Sequence, residues 1–242
     1  MTYWTHPGPF ALHFAISVLA IHLAFTIWHD AAHMSVSPTR WVNNVVGILG
    51  MLPYKTPFFA QKFIHMQHHR FMNEERDPNF IYTDGSFLTI PFRYLRAIRY
   101  AGSVLKEDPR TPAAKVSDTL STAVVIGLYA AAFWFGVGFD LIALWLLPLV
   151  GAKLIMDWYI NYIPHVGLPP NRYAGTRVLD VWWLTPLILG HNYHAVHHLW
   201  PDIPWYRYYR TFREKIDYLR GHGVPIQHNV FGPRSLPAKV EH

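Results

Sequence analysis

Three long apolar runs, residues 10–28, 120–139 and 141–160, stand out from a chain otherwise rich in polar and aromatic side chains. Each holds about 20 residues, enough as a helix to cross roughly 30 Å of hydrocarbon. The pattern therefore predicts three transmembrane helices. Lys153 and Asp157 interrupt the third run near its end, where a long stem snorkels or an ionisable group serves a site. Residues 42–53 are also apolar but too short to span, and they contain Asn43 and Asn44; they read as an interfacial or re-entrant segment. Residues 178–189 set Trp182 and Trp183 beside Asp180 and Pro186, the pattern of an in-plane helix at the membrane surface. The expected fold is an all-α integral membrane protein of about three spans plus interfacial helices. Residues 1–242 would form a single membrane-embedded domain, with a basic tail over about 207–242.

No Lys or Arg precedes the first run and no small-residue cleavage site follows it, so it is expected to be a retained anchor rather than a signal peptide. Charge then orients the spans. Residues 1–9 and 136–140 carry no Lys or Arg, whereas residues 34–119 carry eleven, from Arg40 to Lys115, and most of the others follow the third run. The positive-inside rule places both basic stretches in the cytoplasm; the expected membrane is a bacterial inner or thylakoid-like one. The formal net charge of +6 suits anionic headgroups and an acidic redox partner, and nucleic acid is not an expected ligand.

That topology gathers the candidate chemistry on one face. Sixteen histidines include three clusters: His29-Asp-Ala-Ala-His33, His65-Met-Gln-His68-His69 and His194-Ala-Val-His197-His198. Spacings of three and four put imidazoles on one helix face, and neutral imidazole is a common metal ligand. Eight such side chains exceed the needs of one tetrahedral ion, so the clusters point to two metals under a histidine-rich cytoplasmic cap. A fourth element, Asn161-Tyr-Ile-Pro-His165, closes the third run, where Pro164 kinks or ends the helix. His165 is a further candidate ligand, and Asn161 a candidate acting through a water. Asp30, Asp77 and Asp202 beside the clusters, and Asp157 one turn before Asn161, are candidate second-layer partners. His22, seven residues before His29, and His191 are further histidines near the same groups. The chain has no cysteine, which removes thiolate sites and cysteine-held clusters. It also lacks a GxGxxG motif opening a helix, so no built-in flavin or nicotinamide site is expected; if the chemistry is redox, the electrons come from another protein.

These boxes, in this order between these runs, resemble the membrane fatty-acid desaturase/hydroxylase superfamily. Within it, the stretch from Gly190 through His194, His197 and His198 to Leu199-Trp-Pro-Asp-Ile-Pro-Trp-Tyr206 is similar to the cyanobacterial-type β-carotene hydroxylase branch. His22 before the first box, Asp77-Pro78 after the second and Tyr162-Ile-Pro-His165 share that likeness, which covers roughly residues 15–215. The resemblance implies a non-haem di-iron centre, two Fe held by His29, His33, His65, His68, His69, His165, His194, His197 and His198, with O2 as co-substrate. Asn161 falls where related acyl desaturases carry a water-linked Asn. Three features depart from the branch: an N-terminus shorter by about one span, Ser37 in place of a further His, and His191 in place of a polar residue.

The implied activity is that of an oxidoreductase, a monooxygenase hydroxylating a carotenoid ring (β-carotene to a zeaxanthin type) with reduced ferredoxin as donor. The lipophilic substrate would enter from the bilayer. An acyl-lipid desaturase and a carotenoid ketolase are the alternatives within the same chemistry, since an apolar pocket discriminates such substrates weakly. A non-enzymatic metal-binding or transport protein is a distant alternative, because no run of intramembrane acids marks a pathway.

Overall fold

A computed structural model describes residues 7–230. The expectations for residues 1–6 and 231–242, including the orientation of the N-terminus and the end of the basic tail, lie outside the described residues. Among the described residues the regular structure is almost wholly helical, and three helices are long and apolar enough to cross a membrane: Pro9–Ala32, Pro112–Trp134 and Gly138–Tyr162. At 23 to 25 residues they are about 35 Å long. The chain is an integral membrane protein. Residues Leu12, Ile16, Leu19, Leu23 and Ile27 recur every three or four positions along the first span and are exposed, as a lipid-facing stripe must be.

The second span begins earlier and ends earlier than its apolar run suggests. Its first turns are polar on one side because Asp118 has work there. The Asp118 carboxylate accepts from the Phe59 and Ala60 amides at 3.1 and 2.8 Å, capping helix α3 (Phe58–Phe71). Arg110 pairs with both Asp118 and Asp108. The reversal to the third span falls at residues 135–137, with Gly136 at φ 76°. Exposed Trp134, Phe135 and Phe139 ring this end, as aromatic side chains do at a bilayer interface.

Helix α1 (Pro7–Ala32) packs along helix α2 (Arg40–Met51). This contact needs small residues: a Cβ on Gly50 would stand 3.0 Å from the Trp28 backbone nitrogen. Asn43, fully buried, explains the polar intrusion in the short apolar segment. Its amide accepts from the Val36 and Ser37 amides and donates to the Ser37 and Thr39 carbonyls, fixing the turn after the first box. Trp41, Val45, Leu49 and Leu52 remain exposed on the other face, consistent with an interfacial segment.

Residues 178–189 depart from the expected in-plane helix. Val178–Leu179 (β1) pairs in parallel with Ile226–Gln227 (β2), and only Leu184–Leu187 is helical. Pro186 and the pull of the β2 backbone defeat a longer helix, although Trp182, Trp183 and Leu187 still point outward. The basic tail is likewise folded as far as residue 230. Tyr208, Phe212 and Leu219 are fully buried against Val178, Tyr193 and Val196.

Candidate metal centre

All four histidine elements meet at the end of the bundle opposite residues 135–137. The first box leaves α1 at its last turn, and the second lies along α3. The third follows a sharp turn at Gly190 (φ 74°) into the helix His194–Leu199. The third span widens over Asp157–Tyr162, where the Ile163 amide reaches back five residues to the Trp158 carbonyl at 2.8 Å. Such wide turns shift the following side chains around the axis. His165 lies just beyond, past Pro164.

The nine histidines of the four elements sort by distance. One ring nitrogen each from His29, His33, His65 and His197 lies within 4.8 Å of the others, and so do those of His68, His165, His194 and His198. His69 joins the two quartets, grouped with His197 and His198. Facing Nε2 atoms are 2.7 Å apart for His33 and His65, 2.9 Å for His69 and His197, 3.0 Å for His165 and His194, and 3.1 Å for His194 and His198. Imidazoles sharing an ion at about 2.1 Å stand roughly 3.0–3.4 Å apart. The quartets have nearly that spacing.

Protonation is compatible with a metal. Burial, reinforced by neighbouring imidazoles, holds His33, His65, His69, His194, His197 and His198 well below the ordinary imidazole range, and burial does the same for His165. They are neutral at neutral pH, with a lone pair to give. Both ring nitrogens of His29 are buried without a hydrogen-bond partner, an arrangement that costs about 1–3 kcal/mol per polar atom unless something binds there. The donor set fits two ions that accept nitrogen ligands, iron among them.

The surroundings differ from residue to residue. Asp77 lies 2.9 and 3.0 Å from His68 Nδ1 and also accepts from the amides of Asn73 and Asn79. His165 Nδ1 donates to the Gly175 carbonyl at 3.3 Å. His197 Nδ1 pairs with the Tyr208 hydroxyl at 3.0 Å; burial raises that phenol well above its usual range, so it stays protonated. Asp30 approaches His29 Nδ1 only to 3.9 Å, too far for a hydrogen bond, while its other oxygen accepts from the Trp205 amide at 3.2 Å.

Two expected partners are corrected. Among the described residues Asp157 touches no imidazole, because Lys153, Tyr94 and Asn161 occupy its oxygens at 2.7–3.1 Å. Asp202 is exposed in the turn after the third box, aimed at solvent. Asn161 donates to Asp157 and accepts from Asn79 at 2.8 Å. His22 and His191 fall outside the histidine groups: His22 pairs with Tyr159, and His191 with Thr26 at 3.3 Å. Sequence reasoning missed Tyr208 and the Gly175 carbonyl. Tyr208 belongs to the aromatic stretch Trp205–Tyr209, in which Tyr206 and Tyr209 are exposed, so nothing before folding singles it out; a backbone carbonyl leaves no signal either.

The chain matches the fatty acid desaturase family model over residues 4–230. It is 27% identical over 225 residues to an sn-1 oleoyl-lipid 12-desaturase of Picosynechococcus sp., covering 78% of this chain and 63% of that protein. It is 30% identical over 192 residues to a β-carotene ketolase of Paracoccus sp., covering 76% and 71%. A Nostoc relative named sn-1 acyl-lipid omega-3 desaturase (ferredoxin) is 22% identical over 204 residues, covering 76% and 48%. The chain thus spans about 63% of the length of the first of these desaturases.

Proposed function

The chain belongs to the fatty acid desaturase family, and on that premise we propose that it is a membrane di-iron oxygenase that hydroxylates a β-ionone ring, converting β-carotene to 3-hydroxy products of the zeaxanthin type. The observation that carries the oxygenase reading is the convergence of nine buried or half-buried imidazoles at one end of three spans. Two irons held by His29, His33, His65, His68, His69, His165, His194, His197 and His198 would supply O2 activation, consuming two electrons and two protons per hydroxyl formed.

The protein's share is positioning and exclusion. The Asp77 carboxylate accepts from His68 Nδ1–H and the Gly175 carbonyl from His165 Nδ1–H, which leaves Nε2 unprotonated in each. Asn161, held by Asp157 and Asn79, keeps an oxygen lone pair for contact through a water. Trp28, buried, packs edge-on against His29 and His65 and keeps the bilayer side of the site dry.

The ring-hydroxylation reading rests on the third-box continuation. Residues 199–206 lie against the first box through the Trp205 amide on Asp30, and a ring methylene is a localised target that needs only one bulky cap seated near the metals. A second reading has its own support, since the Paracoccus relative is named a ketolase. Reduced ferredoxin is the proposed donor, as the name of the Nostoc relative suggests. It would dock on the basic, cytoplasmic face, and rates should then fall as salt screens that face.

Expression in a bacterial host that makes β-carotene tests the reading. Oxygen gained with hydrogen count kept means hydroxylation, and oxygen gained with two hydrogens lost per ring means ketolation. Unchanged pigment beside newly unsaturated acyl chains would hand the case to a desaturase. Metal analysis should find about two irons per chain; a single zinc without iron-supported turnover would overturn the centre.

A further inference from the structure

The helix Ile90–Val104 lies between the second histidine box and the second span, with one side held by the protein and the other bare. Ile90, Tyr94 and Ala97 recur at three- and four-residue spacing. Ile90 and Ala97 are buried, and Tyr94 packs with them in the core that includes Met156 and Tyr162 of the third span. The Tyr94 hydroxyl donates to Asp157 at 2.7 Å. Arg93 is engaged by the preceding turn: its guanidinium donates to the Ile81 carbonyl at 2.7 Å and also to the Asp84 and Ser86 carbonyls. These contacts fix which side of the helix turns outward.

The outward side is apolar and basic at once. Phe92, Leu95 and Ile98 are 85%, 70% and 67% exposed, and Leu88, just before the helix, is exposed as well. Arg96 and Arg99 are interleaved with them and also exposed. Arg96 has the solvent-exposed Asp84 at 3.3 Å, and Arg99 forms no ion pair among the described residues. The helix holds three arginines and no acid. Both its ends lie where spans end. Phe87, at its start, meets Tyr162, the last residue of the third span, with ring centroids 6.2 Å apart. Its far end runs through Leu105–Glu107 to Pro112, the first residue of the second span. At 15 residues, about 22 Å, it therefore lies across the end of the bundle rather than along it.

We propose that this helix is a binding surface for acidic phospholipid: Phe92, Leu95 and Ile98 enter the acyl chains, and Arg96 and Arg99 take the lipid phosphates. An apolar stripe mixed with arginines, in the plane where spans leave the bilayer, fits the boundary between acyl chains and headgroups, with the long arginine stems reaching out to the phosphates. Charge decides the kind of lipid. A neutral lipid would cover the stripe equally well, but two outward arginines with one acid to answer them favour a headgroup of net negative charge. The stripe faces away from Asp157, so its occupancy is independent of which C–H bond the enzyme oxidises.

The chain has no cysteine, so Leu95→Cys gives a single labelling site on the stripe. The test places a fluorophore there in the full chain in lipid nanodiscs and adds phosphatidylglycerol or phosphatidylcholine, each carrying the same nitroxide on its acyl chain. Both lipids should quench, with phosphatidylglycerol effective at a mole fraction at least about fivefold lower, the worth of one arginine near an acidic surface. Adding Arg96→Gln and Arg99→Gln should bring the two lipids to within about twofold of each other. The same loss of charge by Arg213→Gln and Lys215→Gln, exposed elsewhere, should leave the preference in place. Absence of quenching by either lipid would mean that water or a partner protein meets the stripe, and would overturn the assignment. So would a preference that survives the loss of Arg96 and Arg99, or one lost equally in the Arg213 and Lys215 control, which would make it an effect of net charge alone.

Discussion

The two histidine quartets use the same side chain, but the protein braces them differently. His68, in the quartet with His165, His194 and His198, meets a fully buried carboxylate that also holds the turn after the second box. In the quartet of His29, His33, His65 and His197, the neighbouring carboxylate stays 3.9 Å from His29 Nδ1, and among the described residues the one direct brace is the neutral Tyr208 hydroxyl on His197. An anionic partner makes an imidazole more basic and locks its tautomer more firmly than a phenol does. For the proposed centre the difference predicts two unequal metal positions: one tightly held beside Asp77, the other softer and adjacent to the first span.

Removing a ligand should erase the distinction altogether. His68→Ala and His197→Ala each take out one quartet member and misalign the rest; turnover should disappear in both, with iron content per chain falling. Retention of both irons and activity in either variant would mean that the quartets are not the centre.

Asp77→Asn probes the brace while keeping all nine imidazoles. Loss of an outer partner of this kind costs about 10–100-fold in metal affinity or activity, and here the amide also weakens acceptance from the Asn73 and Asn79 amides. Iron should leave one position first, so chelator titration should turn biphasic. A uniform loss from both positions would contradict the proposed inequality.

What could be read from sequence follows the same division between local and distant contacts. Spacings of three and four on a helix place His65, His68 and His69 together whatever the rest of the chain does, and runs of twenty apolar residues suggest spans by length alone. Asp77 was legible because a tight turn returns it to His68 nine residues away. Asp157 was misassigned because Lys153 and Tyr94, the latter 63 residues distant, claim its oxygens. The strand pair of Val178 and Ile226 was invisible for a like reason: two residues carry no periodicity, and the partner lies 48 positions on. Tyr208 needed the folded tail to be seen at all.

Tyr208→Phe removes the brace on the softer side and leaves the ring packing in place. One neutral hydrogen bond is worth about 0.5–1.5 kcal/mol, so activity should drop roughly two- to tenfold, less than in Asp77→Asn. Iron-binding curves should shift only at the position that survives Asp77→Asn. An effect equal to that of Asp77→Asn would remove the asymmetry.

The smallest effects are expected at the acids that sequence placed beside the boxes but geometry holds off. Asp202 is exposed, so Asp202→Asn should leave iron content and turnover within about twofold, the scale of a surface substitution. Asp30→Asn is the sharper control, because Asp30 is buried next to His29 and still accepts the Trp205 amide. An asparagine oxygen can keep that bond, so if 3.9 Å is the working distance the variant should behave like Asp202→Asn, or nearly so, in chelator titration. If instead Asp30 closes on His29 once metal is bound, Asp30→Asn should fall to the level of Asp77→Asn. Titrating the two variants side by side then decides whether the quartets keep their inequality once metal is bound.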